Sequence, residues 1–221
     1  MKKIMFNNQY GLTESVLKRQ KIQTRRIIPQ STLKRINEFR QSYFDATFDV
    51  LNEVELLTQF FLVEKIGRLP YQIGEVVAIA QSYKDAGIHF LPEEDDEFGC
   101  YDFPAEQTNG WTNKMFVRAD LMPHQILFNG VKFERLQDIS YEDCIKEGVV
   151  KREHIIPTPT PQVITQYYPC QYMIDCVNKV GWGKSYDSPR EAYTDLIDKV
   201  SGMGSWHNNP LVFAYDFELV K

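Results

Sequence analysis

Alternate positions near the end of the chain are apolar. Leu211, Phe213, Tyr215, Phe217 and Leu219 share one face, which predicts a strand over Leu211 to Leu219. The run Val76 to Ala80 follows the turn-forming stretch Leu69 to Glu75 and reads as a short buried strand. Lys21 to Ile28 is rich in β-branched residues and meets Pro29, so it reads as a strand ending in a loop. Lys114 to Ala119 and Val131 to Leu136 read as two further strands, with Asn129-Gly130 as a turn between them. Helical spacing appears at Leu12 and Val16, at Leu33, Ile36 and Phe39, and at Ala192, Leu196 and Val200 within Pro189 to Val200. Ser140 to Gly148 carries its own punctuation, with Ser140 as N-cap, Asp143 as a capping-box-like partner and Gly148 as the stop. Leu56 to Val63 fits helix or strand equally. Asp85 to Asn109 reads as a long loop or hairpin, and the prolines between His154 and Pro169 as an extended excursion.

Composition narrows the class. Apolar types make up 43% of the 221 residues, well above the range of disordered chains. No apolar run approaches the length of a membrane span, and the N-terminus turns polar at Asn7, too early for a signal-peptide core. With no export signal, a cytoplasmic protein with reduced thiols is expected, and Cys100, Cys144, Cys170 and Cys176 form no Cys-x2-Cys pair and no zinc-spaced cluster with histidine. A Cys170–Cys176 disulfide is the less favoured alternative. No metal or other cofactor is implied.

The net charge of −5 does not advertise nucleic-acid binding, but its distribution does more. Lys18, Arg19, Lys21, Arg25, Arg26, Lys34 and Arg35 form a block without an acid, able either to attract phosphate or to be a solvated face. Glu93 to Glu97 is the opposite block and reads as an exposed loop. Gly183-Lys184-Ser185 copies the tail of a phosphate-binding loop, but Asn178 stands where that loop needs its first glycine. Ser205 lies one place late for a nucleophile elbow. The four histidines are scattered, and Trp111, Trp182 and Trp206 are core or cavity-wall candidates.

One constellation points to a family. Arg19-Gln20-Lys21-Ile22-Gln23-Thr24-Arg25-Arg26 resembles the ASCH-domain signature Gly-x-Lys-x-x-Thr-x-Arg, with Lys21, Thr24 and Arg26 matching and Arg19 in place of the glycine. Pro70 to Val77, Phe133 to Gly148 and Asn209 to Glu218 resemble further blocks of that family, in the right order. The larger phage- and prophage-associated bacterial type is the nearest in pattern. Ala80-Gln81-Ser82-Tyr83 lacks the Arg and Glu that this type often carries there. The resemblance implies a single α+β domain over 1–221, built as a small PUA-like β-barrel with flanking short helices. Large insertions would fall near 31–66, 84–110 and 149–205.

The resemblance also implies a site. Small ASCH relatives remove the acetyl group from acetylcytidine with a set resembling Lys21, Thr24 and Glu147: Thr24 as nucleophile, Lys21 as its base, Glu147 handling protons at the leaving amine. Glu147 falls in the last turn of its helix, where a carboxylate opposes the helix dipole and needs a cation. Lys21 is the candidate partner, a pairing that favours the charged lysine and works against its use as a base. Lys21 must also precede the strand, since alternation would otherwise separate it from Thr24. PUA-like barrels bind RNA or modified bases with basic groups on phosphate and aromatics on the base. Arg19, Arg25, Arg26, Tyr83 and Trp206 are the corresponding ligand-binding candidates. The expected function is thus binding of a nucleotide, RNA or modified base, with acetylcytidine-type amide hydrolysis second and a phage-derived protein-interaction module third.

Overall fold

The structure is a computed structural model. It describes residues 1–47, 50–92, 103–156, 162–171, 173–175 and 184–221. Its strands are β1 (Lys3–Ile4), β2 (Gln23–Ile27), β3 (Val76–Ile79), β4 (Phe90–Leu91), β5 (Phe103–Pro104), β6 (Gln125–Arg135), β7 (Val150–Ile156), β8 (Gln162–Tyr168) and β9 (Leu211–Leu219). Its helices are α1 (Leu12–Leu17), α2 (Gln30–Thr47), α3 (Glu53–Thr58), α4 (Tyr83–Ala86), α5 (Tyr141–Lys146), α6 (Pro189–Ser201) and α7 (Ser205–Asn208).

Five strands make the main sheet, in the order β1-β3-β6-β9-β2. β1 runs parallel to β3 and every other pair is antiparallel. The alternating C-terminal stretch is the hub: β9 pairs with β6 from Leu211 to Leu219 and with β2 from Val212 to Asp216. Its buried Phe213, Tyr215 and Phe217 stack among Phe61, Phe128 and Phe133, and this aromatic layer holds the sheet to α3 and the following turn.

The protein is thus α+β, but the expected barrel is, in its hydrogen bonding, an open sheet. Among the described residues no ladder joins the edges β1 and β2. The reason is length: β1 has two residues, and the chain leaves it at Met5 before it can pair further. A side chain spans the gap instead. Arg26 Nη2 donates to the Met5 carbonyl at 2.9 Å, and the guanidinium lies over the Phe6 ring, 5.9 Å from its centre.

Three local expectations change. Asn129-Gly130 is a bulge inside one long strand, not a turn, because β9 runs past both halves and keeps them in line. Gly130 suits it: a Cβ there would sit 3.3 Å from Asp216 Oδ2. Lys114 to Ala119 is not a strand. The Asn113 side chain accepts from the Met115 N–H and closes a short 3₁₀ turn over Lys114–Phe116. The ambiguous stretch is helical, with Asn52 and Glu55 forming a capping box at the start of α3, which passes into a π-helical turn at Gln59–Val63.

The proline-rich excursion contains the β7–β8 hairpin, paired from Val150↔Tyr168 to Ile156↔Gln162. Its prolines at 157, 159 and 161, the acidic block Glu93–Glu97, Cys100, Cys176, Trp182 and Gly183 lie outside the described residues. Cys144 is buried in the main core, and burial pushes its thiol up to about 12. Among the described residues no helix is long and apolar enough to cross a membrane.

Candidate ligand-binding cleft

Lys21 reaches the site because α1 ends in a left-handed residue. Arg19 has φ 57°, and the Gln20 and Lys21 amides then both donate to the Ser15 carbonyl, at 2.8 and 3.0 Å. This reverses the chain within two residues and drops Lys21 ahead of β2, in the turn rather than in the strand. The glycine of the resembling pattern thus falls on a position whose backbone favours glycine, with arginine occupying it. A matching turn delivers Glu147. It caps the end of α5, and Gly148 at φ 106° bends the chain away beside the Lys21 side chain.

Lys21 is 3% exposed, and its ammonium is saturated. Nζ donates to the Gln23 carbonyl at 2.8 Å, to the Glu147 carbonyl at 2.8 Å and to Glu147 Oε2 at 2.5 Å. Three donors meet three acceptors. Burial pulls the lysine below its ordinary pKa, and Glu147 works in the opposite direction without cancelling it.

Arg25 anchors the other side of Glu147. Its Nη1 donates to Glu147 Oε1 at 3.1 Å and Gln23 Oε1 at 2.6 Å, Nη2 to Asp143 Oδ2 at 3.2 Å, and Nε to Glu134 Oε1 at 2.7 Å. Lys132 and Lys146 close on Asp143, and Gln23 Nε2 donates to Asp216 Oδ1 at 2.8 Å. Four cations thus face the carboxylates of Glu134, Asp143 and Glu147 in a layer between β2, β6, β9 and α5, with Lys21 and Arg25 buried and Lys132 and Lys146 half-exposed at the rim. Burial alone would raise the Asp143 carboxyl. The hydrogen bonds from Lys132 and Lys146 and the charges of Lys132 and Arg25 win and hold it down at about 2.

On this layer rests a cavity of about 220 Å³. Lys21, Thr24 and Glu147 converge on it, with Arg25 and Arg26 beside them. Met5, Phe6 and Asn7 wall it from the β1 side, and Tyr193, Leu196, Ile197 and Val200 from one face of α6. It occupies the seam between the two sheet edges, with Arg26 shared between it and a wider, more polar cleft of about 510 Å³ lined by Asn8, Ser82, Asp85, Asn113 and Lys114. Tyr193 and Arg26 both line the seam cavity, and among the described residues their Oη and Nε are buried with no hydrogen-bond partner. Burial raises the Tyr193 phenol well above its ordinary pKa, so it is a neutral donor. Among the described residues the Thr24 hydroxyl has no hydrogen-bond partner either.

The remaining candidates lie elsewhere. Arg19 is exposed and lines neither cavity. Tyr83 is buried in a second small core, where its hydroxyl accepts from the Arg118 N–H at 2.9 Å. Trp206 packs edge-on to Tyr193 and beneath Arg190, facing a different depression. The basic block is likewise dispersed. Lys18 pairs with Glu14, Arg35 donates to the Ile66 carbonyl and lies over Phe60, and Lys21 and Arg25 are inside.

Sequence reasoning missed Tyr193, Glu134, Asp143 and Lys132 as parts of the site. For Asp143 the signal was present but pointed to capping: Ser140 Oγ does accept from its N–H at 3.1 Å, while the carboxylate turns to the cations. Tyr193 sits beside the predicted apolar stripe of α6, one position from Ala192. In comparisons with known proteins, no family model, no curated protein and no solved structure matches this chain.

Proposed function

We propose that the seam cavity binds one nucleoside-sized ligand by its base, as a free nucleoside or nucleotide or as a single RNA residue turned into the cleft. The observation that carries this is the pair of unpartnered buried groups, Tyr193 Oη and Arg26 Nε, on the wall where Lys21, Thr24 and Glu147 meet. Buried polar atoms are nearly always satisfied, so two idle ones in one cavity are a site's donors awaiting an acceptor. The volume of about 220 Å³ suits a planar ring system, and the wider polar cleft beyond Arg26 suits a sugar and phosphate. The dispersal of the basic block favours this over a groove that tracks a long phosphate backbone. The resemblance of the Arg19–Arg26 segment to the ASCH-domain signature supports the same ligand class.

A second reading is favoured by the unengaged Thr24 hydroxyl: hydrolysis of an acetamide on an exocyclic amine. A proton passing from Lys21 to Glu147 across their 2.5 Å contact would leave a neutral amine and a carboxylic acid. Thr24 Oγ1 then attacks the acyl carbon as Lys21 takes its proton, and the C–N bond breaks as Glu147 protonates the departing amine. Water releases acetate from the threonine ester.

Titration calorimetry with cytidine, uridine and N4-acetylcytidine, followed by mass spectrometry of the mixtures, tests both. Binding tighter than about 1 mM that is lost in Tyr193→Phe supports the cleft. No binding of any of the three by the folded protein overturns it. Acetate release from N4-acetylcytidine decides the second reading.

A further inference from the structure

The edge strand beside the cavity offers more than side chains. In an antiparallel ladder, residues alternate between exchanging both main-chain hydrogen bonds with the partner strand and pointing both groups away from it. The phase for β2 is fixed at its two ends. Phe217 N–H donates to the Ile22 carbonyl at 3.0 Å, and Ile28 N–H to the Leu211 carbonyl at 3.0 Å. With the register Gln23↔Asp216 to Ile27↔Val212, Thr24 and Arg26 bond to Tyr215 and Phe213. Gln23, Arg25 and Ile27 therefore aim their N–H and C=O at the open edge.

Gln23 confirms the direction, since its carbonyl is the one that Lys21 Nζ takes from the cavity side. The main-chain groups of Arg25 and Ile27 find no partner in the described protein, although Arg25 is only 7% exposed. An amide and carbonyl left idle on a residue as little exposed as Arg25 are costly, which makes a partner in the cavity the expected state there, while Ile27, 41% exposed, keeps its groups open at the edge.

We infer that the free edge of β2, through the Arg25 N–H and C=O and the Ile27 N–H, reads an adjacent donor–acceptor pair on the ligand's base. The inference rests on the nucleoside reading above and deepens it. The Watson–Crick edges of uracil (N3–H beside O4) and cytosine (N4–H beside N3) carry such pairs, side by side, as an extended residue does. An extended peptide would satisfy the same groups by strand addition. The cavity favours the base, because α6 stands across it with Tyr193, Leu196, Ile197 and Val200, and its volume of about 220 Å³ suits a ring better than a strand. Backbone recognition of this kind selects for the edge of the ring and leaves Thr24, Lys21 and Tyr193 to select its substituents.

Residue-resolved amide exchange on the full chain, with and without saturating uridine or cytidine, tests this directly. In the free protein the Thr24 and Arg26 amides exchange slowly and those of Arg25 and Ile27 quickly. Adding the nucleoside slows Arg25 and Ile27 by at least tenfold. In parallel, 3-methyluridine and N4,N4-dimethylcytidine, which lack the donor, bind about tenfold more weakly than the parent nucleosides. Ile27→Pro, which removes one outward N–H and spares the β9 ladder, weakens the parents by a similar factor. If nucleosides bind but Arg25 and Ile27 exchange unchanged, or the methylated probes bind equally well, the edge does not read the base and the inference falls alone. If Arg25 and Ile27 are already protected in the free protein, it falls too. If no nucleoside binds, the nucleoside reading itself has failed and takes the inference with it. Protection of the odd-numbered amides only by an extended peptide would replace the base with a strand.

Discussion

Lys21 holds Glu147 twice, by its side-chain Oε2 at 2.5 Å and by its main-chain carbonyl at 2.8 Å, across 126 positions of sequence. One ammonium therefore fixes both the position of the helix end and the rotamer of the carboxylate that faces the cavity. The same contact answers the helix-dipole problem of an acid in a last turn, because the cation sits on the carbonyl end as well as on the acid. It also sets the chemistry: a base here must first give its proton to the residue that pins it.

Glu147→Gln keeps the shape and removes the charge. Lys21 and Arg25 then share a buried layer with one carboxylate fewer, a loss of about 3 kcal/mol. Denaturant unfolding measures it. A loss under about 1 kcal/mol would mean that water reaches the layer and screens it.

Arg25 and Arg26 are neighbours with opposite duties. Arg25→Ala strands Glu134, Asp143 and Glu147 and costs about 3–5 kcal/mol of stability. Arg26→Ala costs about 1 kcal/mol or less, since its bonds are to the Met5 carbonyl and the face of Phe6. Its effect is on ligands: preference for a nucleoside monophosphate over the nucleoside, and the salt dependence of that preference, both shrink. Calorimetry at two salt concentrations checks this, and an unchanged preference would take phosphate away from the outer cleft.

Asp143 makes the fold acid-sensitive. Its carboxyl is held down at about 2 in the native state against an ordinary 3.8. The folded form thus binds its proton less readily than the unfolded chain. The stability it contributes is complete above about pH 4 and is lost as the pH falls toward about 2. Unfolding free energies measured between pH 5 and pH 2 should slope downward, and Asp143→Asn should flatten that slope. Parallel curves for the two proteins would assign the acid sensitivity to other groups.

Thr24→Val separates structure from chemistry. The hydroxyl has no hydrogen bond among the described residues, so stability should change by less than about 1 kcal/mol. If the cleft hydrolyses an acetamide, product formation falls at least a hundredfold while binding of the parent nucleoside stays. Full turnover in the valine protein would remove Thr24 as nucleophile.

Arg19→Gly relieves a left-handed backbone at φ 57°. The relief, about 1 kcal/mol, is partly offset by the freer unfolded chain, so melting should shift upward or stay level. A clear drop would mean that the arginine side chain supports the turn.

Much of this was legible because it is local. β9, β3, α5 and α6 follow from alternation, spacing and caps, whereas the grouping of Lys21 with Thr24 comes only from the resemblance to ASCH domains, since a strand begun at Lys21 would part them. What was hidden is non-local. No spacing tells that Asp143 would turn from its cap to Arg25 and Lys132, or that Tyr193, 172 positions after Lys21, would stand across the cavity from it. Asn129-Gly130 misled because its turn chemistry is real, and only the unbroken run of β9 alongside makes it a bulge. The run of cations misled in the same way: sequence shows that they are adjacent, but folding sends two inward and the others to different faces.

The position of β9 bears on when this site exists at all. β2, which carries Thr24 and Arg26, has β9 as its one neighbour in the sheet, so its contacts reach across 193 positions, as between Gln23 and Asp216. During synthesis β2 leaves the ribosome long before β9 and waits, unpaired, for that strand to emerge. A message broken shortly before codon 211 would encode every residue that lines the cavity and still leave β2 without the strand that pairs with it.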